Sequence, residues 1–149
     1  MRKLLSVGHS NKNLEEFVEL CRTAGVEAIA DIRRFPRSRR YPHFARQHLQ
    51  RTLPEQRINY IWLGNELGGF REGSYEAWMS SDEFIRGIEE LERQAETRTI
   101  AFMCAEGDPS SCHRRFVARV LAERGHEVSH LLPDGRLKPE EPPLSLPDR

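Results

Sequence analysis

The run Thr99-Ile-Ala-Phe-Met103, the turn Cys104-Ala-Glu-Gly-Asp-Pro-Ser-Ser-Cys112-His113-Arg114-Arg115 and the helical pattern from Phe116 to Glu123 follow one another without a break. A short apolar run closed by Gly, Asp and Pro, and followed by apolar residues at helical spacing, reads as strand, turn and helix. The same alternation recurs outward in both directions. Lys3 to Val7 reads as a strand, and Asn13 can cap a helix carrying Leu14, Phe17, Val18, Cys21 and Ala24 on one face, with Gly25 as its stop. Val26 to Ala30 is a second strand. A helix is predicted over Ala45 to Gln56, a third strand over Ile58 to Leu63, and a helix over Asp82 to Glu96 with a capping box from Ser80 to Glu83. The helix after Ser111 and a last strand, Glu127 to Leu131, complete the series. Five strands alternating with four helices predict a single α/β domain with a mostly parallel sheet of about five strands flanked by helices, because parallel neighbours need helical crossovers. This is Rossmann-like or flavodoxin-like layering; strand order is not readable from the pattern. The domain is expected over residues 1–132, and 133–149, with five of the nine prolines and no apolar period, as an extended or disordered tail.

At 149 residues, with 38% hydrophobic and 31% charged residues, the chain suits one core with a heavily ionic surface. Leu4, Leu5 and Val7 are too short an apolar stretch for a signal peptide or a membrane span. A cytoplasmic protein with no membrane partner is expected, and three cysteines without a framework of spacings agree with a reducing compartment. Lys plus Arg and Asp plus Glu are 23 each, which argues against a general polyanion binder. The charges are unevenly spread, however: from Asp31 to Arg51 there are seven arginines (33, 34, 37, 39, 40, 46, 51) against one acid. Guanidinium suits bidentate contacts to carboxylate or phosphate.

The Gly8-His9-Ser10 start, the block Asp31-Ile-Arg33-Arg34-Phe-Pro-Arg37-Ser-Arg39, Glu66-Leu67-Gly68-Gly69 and the Cys104/Cys112-His113-Arg114 turn together resemble a prokaryotic family catalogued as domain of unknown function 488. The resemblance runs from about Ser6 to about His130. It implies a fold and a site but no reaction.

Unusual polar residues fall where the strands end: His9 after the first, Asp31 and Arg33 after the second, Glu66 after the third, Cys104 and Glu106 after the fourth. In a parallel sheet those ends share one edge and form a crevice. Arg33, Arg37, Arg39 and Arg114 are candidates to hold an anion, with Ser10 in a small cradle at Gly8 to Asn11, and Asp31 and Glu66 orienting the arginines. Cys104, His113, His9 and Glu106 are the candidate catalytic groups, the imidazoles as side chains that titrate near neutrality. Cys112 sits at a helix start, which favours thiolate. The phosphatase pattern of Cys, five residues, then Arg is absent, since Ser110 stands where the arginine would be. Cys104, Cys112, His113 and His9 have donor types that suit zinc, yet their spacing matches no standard zinc motif, so no metal is assigned and no cofactor is named.

Bland readings stand beside these. His113 also suits the core, Cys104 suits a buried inert thiol, and the arginines could pair with Asp31, Glu66, Glu106 and Asp108. The glycine-rich segment from Gly64 to Ser81 reads as a lid or as an insertion stapled by Phe70, Tyr75 and Trp78. The leading expectation is a crevice for a phosphate-bearing ligand, a nucleotide or a nucleic-acid end, with enzymatic turnover undecided. A nucleic-acid or partner-binding module using the arginine loop, and thiol or metal chemistry at Cys104 and Cys112, are the alternatives.

Overall fold

A computed structural model of the chain describes residues 2–37, 40–109 and 112–141. Six strands form one sheet: β1 (Lys3–Gly8), β2 (Ala28–Asp31), β3 (Asn59–Trp62), β4 (Ile100–Cys104), β5 (Glu127–Leu131) and β6 (Leu137–Pro139). Their order is β3-β2-β4-β1-β5-β6, with β1 to β5 parallel and β6 antiparallel on the edge. The single α/β domain with a mostly parallel sheet is therefore as read from the sequence, with a sixth strand added. That strand lies inside the segment read as a tail, and its residues alternate too little to signal a strand. Among the described residues no helix is long and apolar enough to cross a membrane.

The helices are α1 (Leu14–Thr23), α2 (Arg46–Glu55), the short α3 (Gly64–Leu67) and α4 (Tyr75–Trp78), α5 (Asp82–Ala95) and α6 (Arg114–Glu123), with a 3-10 turn at Pro42–Phe44. Asn13 caps α1 in a full capping box with Glu16. For α5 the cap is Ser81, which accepts from Phe84 N, one residue later than the Ser80–Glu83 box predicted. The chain walks leftward from β1 through β2 to β3, then returns through β4 to β5. Right-handed crossovers put the helices of those two walks on opposite faces. Accordingly Phe17, Val18 and Cys21 of α1 and Leu49 and Leu53 of α2 cover one face with Val7, Ile29 and Met103. Phe84, Ile88 and Leu91 of α5 and Val117 and Leu121 of α6 cover the other with Leu4, Ala30 and Phe102. All five residues of β4 are buried, as a central strand covered on both faces requires.

The three central strands β2, β4 and β1 thus end side by side, and the loops after them diverge toward opposite faces. That divergence opens a crevice at the carboxyl edge.

The segment from Gly64 to Ser81 contains two helical turns and is held closed by its own side chains. Tyr75 OH donates to Leu67 O and Trp78 Nε1 to Glu66 O, both at 2.8 Å. The Arg71 guanidinium lies 3.8 Å from the centroid of the Trp78 ring and donates to the carbonyls of Gly64, Asn65 and Gly68.

Candidate functional site

The crevice has a volume of about 840 Å³ and is lined from all three strand ends: His9 and Ser10 follow β1, Arg33 and Arg34 follow β2, and Cys104 and Glu106 belong to β4 and its turn. Cys112 and His113 close it from the start of α6, and Gly69, Phe70 and Tyr75 from the segment after β3.

The local backbone makes this convergence possible. A side chain at position 8 would place its Cβ 1.6 Å from Glu106 O, so only glycine lets the β4 turn lie over β1. Gly69 passes beside the His113 ring, where a Cβ would sit 3.2 Å from Nδ1. His9 N donates to Cys104 O and Ser10 N to Ala105 O, extending the β1–β4 ladder past the strands. Those two N–H groups are thereby taken up within the fold, as is Lys12 N by His9 O. Ser10 still lines the crevice, in a left-handed conformation with φ 55°.

The arginines divide into two kinds. Arg33 is buried and committed: its Nε and Nη2 donate to both oxygens of Asp31 at 2.8 and 2.7 Å, and Nη2 also donates to Phe44 O. Asp31, wholly buried, further accepts from Arg33 N and Tyr60 OH. Arg34, Arg37 and Arg40 line the crevice without an ion pair to any carboxylate among the described residues. Arg34 donates to Phe70 O and lies against the Phe35 ring, while Arg40 lies over Tyr41. Arg39 falls outside the described residues. Glu106 is exposed on the rim, but Glu66 is not brought to the crevice; it lies with Arg86 and Arg93 beside α5.

Both crevice histidines have a fixed tautomer. His9 Nδ1 donates to Ser10 O at 2.8 Å, and its ring stacks on Phe44 at 4.3 Å between centroids. His113 Nε2 donates to Ile32 O at 3.1 Å, and its ring lies 5.3 Å from that of Tyr75. His9 Nε2 and His113 Nδ1 are left as lone pairs. Burial pushes His9 down to about 4, and burial lowers His113 as well. Both are neutral at physiological pH and able to accept a proton. His130 is likewise lowered by burial. Below pH 6.5 the unfolded chain therefore binds protons that these native imidazoles refuse, so stability falls as pH drops from 6.5 toward 4. His9 alone accounts for up to about 3 kcal/mol over that span. Denaturant titrations at about pH 7 and about pH 5 should show the loss, and a His9→Gln variant should show a shallower one. An unchanged pH dependence in the variant would remove His9 from the account.

The two thiols touch. Cys104 Sγ and Cys112 Sγ are 2.7 Å apart, Cys104 is 2% exposed, and Cys112 is half-buried. Sharing a proton with Cys112, together with burial, pushes Cys104 well above the ordinary thiol range. The hydrogen bond from Cys104 holds Cys112 below it, with help from the Arg114 guanidinium and from Arg114 N, which donates to Cys112 Sγ at 3.3 Å. Arg114 itself is not a crevice residue. It is fully buried beneath the turn, where Nη2 donates to Gly107 O at 3.3 Å while Nε and Nη1 have no partner among the described residues.

Sequence reasoning missed one buried chain of polar groups. Ser6 Oγ donates to His130 Nδ1 at 2.5 Å, and His130 Nε2 donates to Glu140 Oε1 at 2.7 Å. Ser6 is 0% exposed, so no substrate reaches it, and the chain ties β1, β5 and the end of β6 together. Its members are far apart in sequence and no spacing marks them. As for metal, among the described residues no group of three or more His, Cys, Asp or Glu side chains is placed to hold an ion.

Fold and crevice together define a doubly wound α/β protein with a ligand-sized pocket at the carboxyl edge of its parallel strands. Residues 13–121 match the family described as Domain of unknown function DUF488, and the chain belongs to that family. No curated protein and no solved structure matches the chain.

Proposed function

We propose that the crevice binds a phosphate-bearing ligand, a nucleotide or a nucleic-acid end, and presents it to the neutral imidazoles of His9 and His113. The observation that carries this reading is the contrast among the arginines. Arg33 is neutralised by Asp31, whereas Arg34, Arg37 and Arg40 face an 840 Å³ pocket in which, among the described residues, Glu106 is the one lining acid. A preformed rim of guanidinium groups favours a multivalent oxyanion over a neutral ligand. At the same rim Phe35 and Phe70 are 61% and 83% exposed with ring centroids 5.9 Å apart, which supports a ligand with a planar base to stack.

Thermal shift with phosphate, nucleotides and short oligonucleotides tests the reading. A ligand at 100 times its Kd stabilises the native state by about 2.7 kcal/mol, enough to raise Tm by several degrees. The Arg37→Glu/Arg40→Glu variant should keep its own Tm, since both side chains are exposed, and lose the ligand shift. A full shift in that variant would sink the assignment.

The exposed aromatic pair also favours a second reading, a non-catalytic nucleic-acid-binding module. It expects a shift with oligonucleotides alone, falling steeply with salt, and no effect of His9 or His113 substitution.

A further inference from the structure

The sulfur pair is the part of the crevice that anion binding leaves unused. Both sulfurs line the pocket and lie 2.7 Å apart, so closing a bond between them needs a movement of well under 1 Å to reach the about 2.05 Å of a disulfide. Their surroundings are unequal. Cys112 is the more open, sits one residue before the cap of α6 and accepts an N–H from Arg114, whereas Cys104 is almost wholly covered. Beneath them lies a guanidinium with two nitrogens lacking any partner and no carboxylate paired to it among the described residues. A buried cation left in that state is costly unless an anion is near, and an ionised Cys112 is the group placed to supply one.

We infer that Cys112 and Cys104 form a thiol–disulfide exchange centre opening into the crevice, with Cys112 as the attacking sulfur, Cys104 as the resolving one and a small anionic disulfide as substrate. The preference for an anionic substrate rests on the anion site proposed above; the sulfur chemistry stands apart from it. In the first step the Cys112 thiolate attacks one sulfur of the disulfide RSSR, forming Cys112–S–SR and expelling RS⁻. In the second, Cys104 attacks Cys112 Sγ, the Cys112–SR bond breaks, and the Cys104 proton passes to one of the two thiolates released. The balance is one dithiol oxidised to a disulfide and one RSSR reduced to RSH and RS⁻. The same steps run backward with a thiol restore the centre.

The test is mass analysis of the full chain after exposure to oxidised glutathione, an anionic disulfide, or to uncharged hydroxyethyl disulfide, with remaining thiols alkylated. Wild type should lose two reactive thiols, hold no adduct and yield a linked Cys104–Cys112 peptide. Cys104→Ser should retain one glutathione on Cys112, and Cys112→Ser should react at least about tenfold more slowly. An adduct that persists on wild type, attack at Cys104, or no reaction with either reagent overturns the proposal. Wild-type alkylation against pH gives a check that needs no variant: Cys112 should react with a midpoint below that of an ordinary thiol, while Cys21, pushed up to about 12 by burial, should stay inert until unfolding. Alkylation of Cys112 only in the ordinary thiol range counts against the proposal.

The charge arm separates the two readings. Normalised to their rates with a free thiol, oxidised glutathione should outpace the neutral reagent by about tenfold, and Arg37→Glu/Arg40→Glu should erase that difference. Exchange without charge preference removes the anionic substrate and weakens the anion site. A phosphate-dependent Tm shift without exchange keeps the anion site and ends the sulfur centre.

Discussion

Asp31→Ala should destabilise the protein by about 3–5 kcal/mol, the usual cost of removing one partner of a buried ion pair. Asp31 is 0% exposed and accepts four hydrogen bonds, from the backbone N, Nε and Nη2 of Arg33 and from Tyr60 OH. Without it a guanidinium that is 8% exposed keeps, among the described residues, only Phe44 O as acceptor, and the Tyr60 hydroxyl loses the carboxylate it donates to. Asp31→Asn, which keeps the shape and one good acceptor, should recover part of the loss. Denaturant midpoints at constant slope measure both. A cost for alanine below about 1 kcal/mol would mean that Arg33 swings out to solvent and that the pair does not shape the crevice.

Gly8→Ala should lower stability by about 3 kcal/mol or more, although it adds one methyl group. The added Cβ would lie 1.6 Å from Glu106 O and 2.4 Å from its carbonyl carbon, and a main chain cannot rotate away as a side chain can. Either β1 twists out of register with β4 or the turn from Cys104 to Gly107 lifts, and both routes disturb the two sulfurs. Gly25→Ala is the control. Its φ of +79° makes alanine unfavourable, yet nothing lies within 4 Å of the new Cβ, so its cost should stay near about 1 kcal/mol. Equal thermal midpoints for the two variants would show that the β4 turn gives way freely at Gly8.

Much of this architecture is legible in the chain because strands and helices announce themselves through local periodicity. The helix expected over Asp82 to Glu96 spans Asp82–Ala95, and its apolar residues Phe84, Ile88 and Leu91 are buried as spaced. The crevice could be located because residues at strand ends meet when the strands are parallel. What stayed hidden depends on pairing across distance. β6 is three residues long and exposed, so its only signal is the partner strand it finds. Arg114 and Arg115 look alike in sequence, yet one is fully buried and the other exposed, a difference set by their phase on α6. Glu66 follows β3 as expected, but the turn of α3 carries it away from the edge. The contact between Cys104 and Cys112 spans eight residues and depends on the conformation of the turn between them.

The placement of β1 bears on how the chain acquires its fold. Its two neighbours in the sheet are β4 and β5, in which Leu4 stands opposite Ile100 and Val128. During synthesis β1 therefore emerges before either partner, and its edges wait while β2, β3 and the helices between them are laid down. Only when β4 and then β5 arrive can it be enclosed, and such long-range closures are slow and leave strand edges open to wrong pairing meanwhile. A nascent chain arrested before β5 would hold the sulfurs and arginines of the crevice already made, yet lack the strand that covers one side of β1.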